Sequence, residues 1–482
     1  MKNLAPVTFI VSIMLVLLSI FMSIPAIAFG SSASSNAEAF SYPAAGIFAA
    51  ALLGLLATRR QSHRLQPRYM FLLTVSSWLI ISLLCALPLY LSDLRLSMTD
   101  AVFESFSGIT TTGSTVLSGL DAMAPDILLW RSIIQWIGGI GIIGMFVAVL
   151  PFLGIGGMRL FATESSEWTE KALPRMKSLS RGLLFVYCAL TVVCALVYWS
   201  SGMDLFNAIN HAFTTISTGG YSTSDSSMGQ FDSNLILLES SLFMALGAMP
   251  FFLFVRELHG QHGVLLKDQQ VRAFVGLLVA AALIMTLYRL WLHEDHPLDL
   301  FVSALFNVTS IVTTTGYASE DYLLWGPFTS VAFFFLTFVG GCSGSTSGGM
   351  KIFRFQLSFM VLREQFRRLL HPRAVLTRNF NGRAVSDEII ASMIAYVFVF
   401  LVCMAIMTLS LSLMNIDLTT SLTASITALT NVGPGLGTLI GPAGNFASLP
   451  DAAKWILSAG MILGRLELLS VIILFSPAFW RT

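Results

Sequence analysis

Ten stretches of this 482-residue chain are apolar over about 17–27 residues, long enough to cross a lipid bilayer as helices. They fall at 4–29, 42–58, 69–91, 127–153, 181–200, 234–256, 271–292, 327–350, 388–414 and 454–478. Lipid offers no hydrogen bonds, so segments of this kind must satisfy their backbone internally, which predicts an all-α polytopic membrane protein with ten transmembrane helices. The first stretch, preceded by Lys2 and containing Ala26-Ile27-Ala28, has some marks of a signal peptide. Its apolar run exceeds the roughly 7–15 residues of a signal core, so it is read as a membrane helix.

Composition agrees. Charged residues make up 11% of the chain, against about 25% in soluble domains, which excludes a water-soluble enzyme. A 55% hydrophobic content with 37 Phe excludes disorder. The formal net charge of +1 leaves no footprint for nucleic acid. Cys85, Cys188, Cys194, Cys342 and Cys403 show neither CxxC nor zinc spacing and read as buried free thiols.

Basic residues set the direction of the helices. Lys2, Arg59 to Arg68, Arg159 to Arg181, Arg256 to Arg272, Lys351 to Arg383 and Arg481 hold 22 of the 27 Lys and Arg, and these clusters alternate along the chain. They mark the cytoplasmic side and put both termini there. The opposite loops are acidic, with Asp93, Asp100, Asp121, Asp204, Asp225, Glu320, Asp321 and Asp417 among them.

Those opposite loops contain a repeat. After residues 1–68, which form two additional N-terminal helices, the chain reads four times as helix, short amphiphilic segment and helix: 69–180, 181–270, 271–387 and 388–482. Each short segment ends in a Thr/Ser/Gly string: Ile109-Thr110-Thr111-Thr112-Gly113, Ser217-Thr218-Gly219-Gly220-Tyr221, Thr313-Thr314-Thr315-Gly316-Tyr317 and Leu429-Thr430-Asn431-Val432-Gly433. All four units start and end on the basic side, so they are parallel repeats about an axis normal to the membrane. Four such units around one axis describe a pseudo-fourfold pore lined by pore loops.

The chemistry of the strings fits. Segments such as Phe103 to Ile109 and Leu298 to Val312 are helix-competent but too short to span, and irregular backbone at membrane depth survives only where buried or lining water. A short helix entering from outside directs its partially negative C-terminus at the membrane centre, which favours a cation there. Glycine allows the strained dihedrals that turn carbonyls inward to replace a hydration shell. A single Thr-Thr-Gly is uninformative; four at equivalent positions in parallel units are specific.

On these strings the chain resembles the Trk/Ktr/HKT superfamily of potassium-uptake proteins, within it the bacterial TrkH type, along essentially its whole length. The resemblance implies a K⁺ pathway with one filter strand per repeat, centred on Gly113, Gly220, Gly316 and Gly433. It assigns carbonyls to Thr111 and Thr112, Thr218 and Gly219, Thr314 and Thr315, and Asn431 and Val432. K⁺ is then the transported ion, with no organic cofactor in this chain. In plant relatives a Ser at the first filter glycine accompanies Na⁺ conduction; Gly113 leans toward K⁺. The fourth string departs most from the Thr-rich pattern. The resemblance also implies a bacterial inner-membrane location, a homodimer, and a cytosolic nucleotide-binding ring of the TrkA type acting in trans.

Two gate candidates follow. Residues 340–351 contain Gly340, Gly341, Gly344, Gly348 and Gly349 and end in Lys351. Each glycine costs a helix about 1 kcal/mol relative to Ala, so the segment reads as a break forming a gating loop, with a small-residue packing face as the alternative. The family carries an intramembrane loop at this place. Arg465 lies eleven residues beyond Lys454, about 16 Å along the last helix, where an arginine faces either a water-filled path or an ion pair with another helix. Glu467, two residues on, points elsewhere. The family proposes a gating role for the arginine.

Other motifs carry less. Gly139-Ile140-Gly141-Ile142-Ile143-Gly144 matches GxGxxG, yet no strand precedes it, and close helix packing explains it better. His293-Glu294-Asp295-His296 reads as a solvated outer cluster. Basic segment 351–387 suits anionic lipid or a protein partner. Among competing readings, an enzyme lacks any catalytic constellation. A K⁺ symporter coupled to H⁺ or Na⁺ needs an intramembrane acid, for which only Glu104, Glu239 and Glu467 are placed, none within a string.

Overall fold

The computed structural model describes residues 4–30, 36–60, 67–148, 172–292, 296–373 and 377–481. Seven described helices are long and apolar enough to span a membrane: Ala5–Phe29, Ala37–Thr58, Pro67–Leu91, Pro125–Ala148, Ala172–Ser200, Gln269–Leu292 and Asp387–Ser412. The first two pack along one another, and the first also lies on Pro67–Leu91 and Pro125–Ala148.

The remaining three predicted spans are not single straight helices; with each bent pair taken as one span, the described residues hold up to nine spans by length and composition. Segment 234–256 is a pair, Asn234–Gly247 and Phe251–Leu258, bent by 90°. Pro250 sits at the bend; it has no N–H to continue the ladder and bars the preceding residue from the helical region. Segment 454–478 is likewise Asp451–Arg465 and Leu469–Phe475, bent by 105°. Here Glu467 occupies the left-handed region at φ +60°, which ends the helix immediately after Arg465. Segment 327–350 holds only the ten-residue helix Pro327–Leu336. Its glycine-dense continuation leaves the helix, and the chain resumes as Ile352–Leu370. Beyond it, Asn379–Phe380 pairs antiparallel with Arg383–Ala384 in a small hairpin.

Four short helices stand between the long ones: Met98–Ile109, Leu205–Ile216, Pro297–Val312 and Leu418–Thr430. Three begin on a side-chain cap, where Ser97, Asp204 and Asp417 accept from the backbone N–H of Asp100, Asn207 and Thr420. The other has Pro297 in its first turn, where no N–H is needed. All four run C-terminally into the Thr/Ser/Gly strings, so their negative ends converge on the same region. Close packing of Pro125–Ala148 admits this arrangement: a Cβ on Gly139 would sit 2.3 Å from the Tyr187 hydroxyl, and one on Gly141 would meet Trp78 at 3.3 Å. Among the described residues nothing lies within 4 Å of a Cβ placed on Gly144. Of His293-Glu294-Asp295-His296, the first three lie outside the described residues.

Candidate ion pathway

Each string adopts the same backbone. Thr111, Thr218, Thr314 and Asn431 have φ of 53°, 51°, 61° and 56°, and two residues later Gly113, Gly220, Gly316 and Gly433 have φ of 86°, 79°, 84° and 106°. The residue between them keeps a negative φ in every string. Alternating hand turns successive peptide groups to one side. The N–H groups turn back onto the short helices: Thr112 onto Ser107 O (2.8 Å), Gly219 onto Thr214 O (2.8 Å), Thr315 onto Ser310 O (2.9 Å) and Val432 onto Thr427 O (3.2 Å).

The four strings close on themselves. A Cβ on Gly113 would meet Gly219 O at 2.3 Å; on Gly220, Thr315 O at 1.8 Å; on Gly316, Val432 O at 2.0 Å; on Gly433, Thr112 O at 2.8 Å. Each glycine therefore lies against the carbonyl that precedes the next string's glycine, in the cyclic order of the repeats. Only glycine tolerates both that approach and that φ.

Side chains lock the ring from outside. Tyr221 donates to Glu104 O (2.7 Å), reaching from the second string to the first short helix. Tyr317 repeats this one unit later, bonding Thr214 Oγ1 at 2.5 Å. Ser114 closes the circuit by donating to Gly433 O at 2.8 Å. In the fourth string Asn431 stands where the others have Thr, and its Nδ2 donates to Thr112 Oγ1 and Met461 O, both at 2.9 Å.

Two supports were not identified from the sequence. Gln135 fills the space left by the missing side chain of Gly219, where a Cβ would lie 2.4 Å from its carboxamide carbon. Its amide donates to Gly219 O (2.7 Å) and accepts from Tyr221 N (3.0 Å). Glu104, 0% exposed, pairs with Arg131 Nε at 2.9 Å and also accepts from Thr115 Oγ1 and Val116 N. Arg131 spans to Ser222 O at 3.0 Å and stacks 4.1 Å over Tyr221. A lone charge in an apolar segment requires such a partner, and that rule was the available signal.

Residues 340–351 sit directly against three of the strings. Gly349 N donates to Thr430 O (2.7 Å), Gly348 N to Thr314 Oγ1 (2.7 Å), and Thr218 Oγ1 to Thr346 Oγ1 (3.3 Å). Gly340, Gly344 and Gly349 have positive φ, and Gly340 packs against the backbone of Gly348 and Gly349, folding the loop double. Gly341 lies against Ala248 and Ser347. Lys351, at φ 68°, turns the chain into the next helix and bonds Ser347 O.

Arg465 meets this loop. Its Nη1 donates to Thr346 O at 2.7 Å, while Nε and Nη2 are buried without a hydrogen-bond partner. Among the described residues it forms no ion pair. Glu467 instead engages Arg354, which stacks 3.6 Å over Tyr396. Among the described residues no three His, Cys, Asp or Glu cluster as metal ligands, so an alkali cation here would meet neutral backbone oxygens.

Short helices, strings and loop together define a polytopic membrane protein with a ring of backbone carbonyls at the meeting point of four similar segments. Over residues 40–482 the chain matches the family described as TrkH: Cation transport protein, and it belongs to that family. It is 47% identical over 483 residues to TrkI of Halomonas elongata, covering 100% of this chain and 98% of that one. It is 39% identical over 433 residues to TrkH of Escherichia coli, covering 88% of each. Both carry the description Trk system potassium uptake protein. The crystal structure of the potassium transporter TrkH from Vibrio parahaemolyticus superposes with a TM-score of 0.91 at 35% identity, over 99% of this chain and 100% of that one. These relatives are transporters, and the chain is not an enzyme.

Proposed function

We propose that this chain takes up K⁺ across a bacterial inner membrane through the four strings, which act as a selectivity filter of backbone carbonyls. The observation that carries the reading is the closed order of contacts, each glycine against the next string's carbonyl. Units 69–180, 181–270, 271–387 and 388–482 are then pore repeats, with 1–68 outside them. The short helices lend their negative ends to a cation, and the relatives' descriptions name potassium.

Loop 340–351 is the gate in this reading, and Arg465 places a positive charge beside it that repels cations until the loop moves. Two of the three intramembrane acids are neutralised, Glu104 by Arg131 and Glu467 by Arg354; Glu239, which accepts from Ser201 Oγ, lies outside the strings and is the one acid left for a coupled mechanism. A TrkA-type nucleotide-binding ring regulates from the cytoplasm, where both termini lie. Helix Ile352–Leu370 exposes Phe355, Phe359, Leu362, Phe366 and Leu369 at alternating spacings of four and three, a seam suited to a second copy in a homodimer. Arg363, Arg367, Arg368 and Arg373 flank it for anionic lipid.

Rubidium uptake by proteoliposomes tests the proposal. Uptake driven by a K⁺ gradient alone is expected. A requirement for an imposed Na⁺ or H⁺ gradient makes the protein a symporter, and absence of uptake overturns the reading.

A further inference from the structure

We infer that one buried polar side chain on each short helix fastens the outer end of the string that follows it, and that these four fasteners set how sharply the strings separate K⁺ from Na⁺. The effect on selectivity rests on the strings being the filter; the fastening itself does not. Seven residues before the left-handed positions Thr111, Thr218, Thr314 and Asn431 stand Glu104, His211, Asn307 and Ala424. The first three are polar yet 0% exposed. Burying such a group is costly unless it is hydrogen-bonded, so each requires a partner.

The partner lies just past the string in every unit. Glu104 accepts from Thr115 Oγ1 and Val116 N, both at 3.0 Å. His211 Nδ1 lies 2.9 Å from Asn207 O, which can only accept. In the neutral imidazole that nitrogen therefore carries the hydrogen, and Nε2 accepts from the Ser222 hydroxyl at 3.1 Å. Asn307 donates through Nδ2 to Ser319 Oγ at 2.7 Å and accepts from Ser319 N at 3.3 Å. In the fourth unit Ala424 has no polar group, and its neighbour Thr423 takes over. The Thr423 hydroxyl donates to Thr419 O at 2.7 Å and accepts from Leu436 N at 3.1 Å. Val116, Ser319 and Leu436 stand three residues beyond Gly113, Gly316 and Gly433, and Ser222 two beyond Gly220.

Each string is thus held at both ends by its own short helix. The N–H before the glycine bonds back to the last turn of that helix, and the residue two or three beyond the glycine bonds to a side chain about one turn earlier. Between the two points lie the carbonyls of the glycine and of the residue before it, so the tether fixes their spacing. Carbonyls that replace a hydration shell discriminate by their number and placement, and slack at the outer end lets them relax around the smaller ion. Two of the fasteners are joined. Arg131, paired with Glu104, donates to Ser222 O at 3.0 Å, on the residue that His211 holds.

Thr423→Val removes the hydroxyl and keeps the shape of the side chain, while Thr423→Ser keeps the hydroxyl. Reversal potentials of the purified full chain in planar bilayers, with equal K⁺ and Na⁺ on opposite sides, report selectivity independently of how much protein is active. Thr423→Val should lower the K⁺ over Na⁺ permeability ratio about fivefold, the factor carried by one net hydrogen bond, and Thr423→Ser should keep the wild-type ratio. Thr286→Val removes a buried hydroxyl bonded to Ala282 O within its own long helix and should leave the ratio unchanged. Should Thr423→Val fail to fold, Asn307→Leu carries the same expectation. An unchanged ratio in the folded variant, or an equal fall in Thr423→Ser or Thr286→Val, overturns the effect on selectivity. Hydrogen exchange decides the fastening without any current. The Leu436 amide should exchange about fivefold faster in Thr423→Val than in wild type, and equal exchange overturns the fastener. If wild type itself does not select K⁺, the filter reading fails while the exchange measurement still decides the fastening.

Discussion

Glu104→Gln isolates the buried pair that holds the first two strings together. The substitution preserves volume, and the amide oxygen still accepts from Val116 N. What it removes is the negative charge 2.9 Å from Arg131, whose side chain is 1% exposed. Leaving one partner of a buried pair uncompensated costs about 3–5 kcal/mol. Arg131 keeps its bond to Ser222 O and its place over the Tyr221 ring, a cation–π contact of about 2 kcal/mol when desolvated. The expected loss is therefore near the lower end, about 3 kcal/mol. Adding Arg131→Met removes the orphaned charge, so the double variant should be more stable than the sum of the single losses. SDS titration of the purified protein in mixed micelles gives the double-mutant cycle, with an expected coupling of about 1–3 kcal/mol. Additive losses, with coupling below about 0.5 kcal/mol, would refute the claim that this pair is a structural clamp.

Other consequences are equally concrete. Gly220→Ala places a methyl 1.8 Å from Thr315 O at φ +79°, so rubidium uptake should drop at least about tenfold while the protein still inserts and elutes as a single peak. Arg465→Ala removes the hydrogen bond to Thr346 O and the charge beneath the strings, so liposome flux without any partner protein should rise; unchanged flux sinks the gating role. Next to the small hairpin, hydrogen bonding to Arg378 holds the Glu364 carboxyl below the usual carboxylate range. A depressed folded pKa means the contact stabilises fully above the unfolded value of about 4.3 and loses that contribution as pH falls through the folded value. Hydrogen exchange around 377–387 should accelerate below that point in wild type, and Arg378→Gln should show the fast exchange already at pH 7.

What could be read from the sequence follows from what its patterns encode. Seven spans and four strings were visible because hydropathy and glycine placement act locally. The two bends were missed for opposite reasons. At 248–250 the residues stay apolar through the bend, and only Pro250 signals it. After Arg465 the turn occurs at Glu467 in a left-handed conformation, with neither Gly nor Pro to announce it. The break at 340–351 was readable because its five glycines make a helix expensive over a short distance. Gln135 acts between units across 84 positions, and the Glu104–Arg131 pair acts within the first unit across 27, both beyond the reach of a local period. Asn431, the least typical residue of the strings, proves to be tied to both the first string and the last helix.

The central claim is that four strings form one K⁺-selective ring, and a bi-ionic reversal potential addresses it directly. Purified protein with K⁺ on one side and an equal concentration of Na⁺ on the other should give wild-type currents that reverse far from zero, in the direction set by K⁺ permeating in preference to Na⁺. Gly113→Ser adds a Cβ 2.3 Å from Gly219 O and should move the reversal toward zero as Na⁺ gains passage. A variant that keeps the wild-type reversal potential, or a wild type that does not distinguish the two ions, contradicts the account.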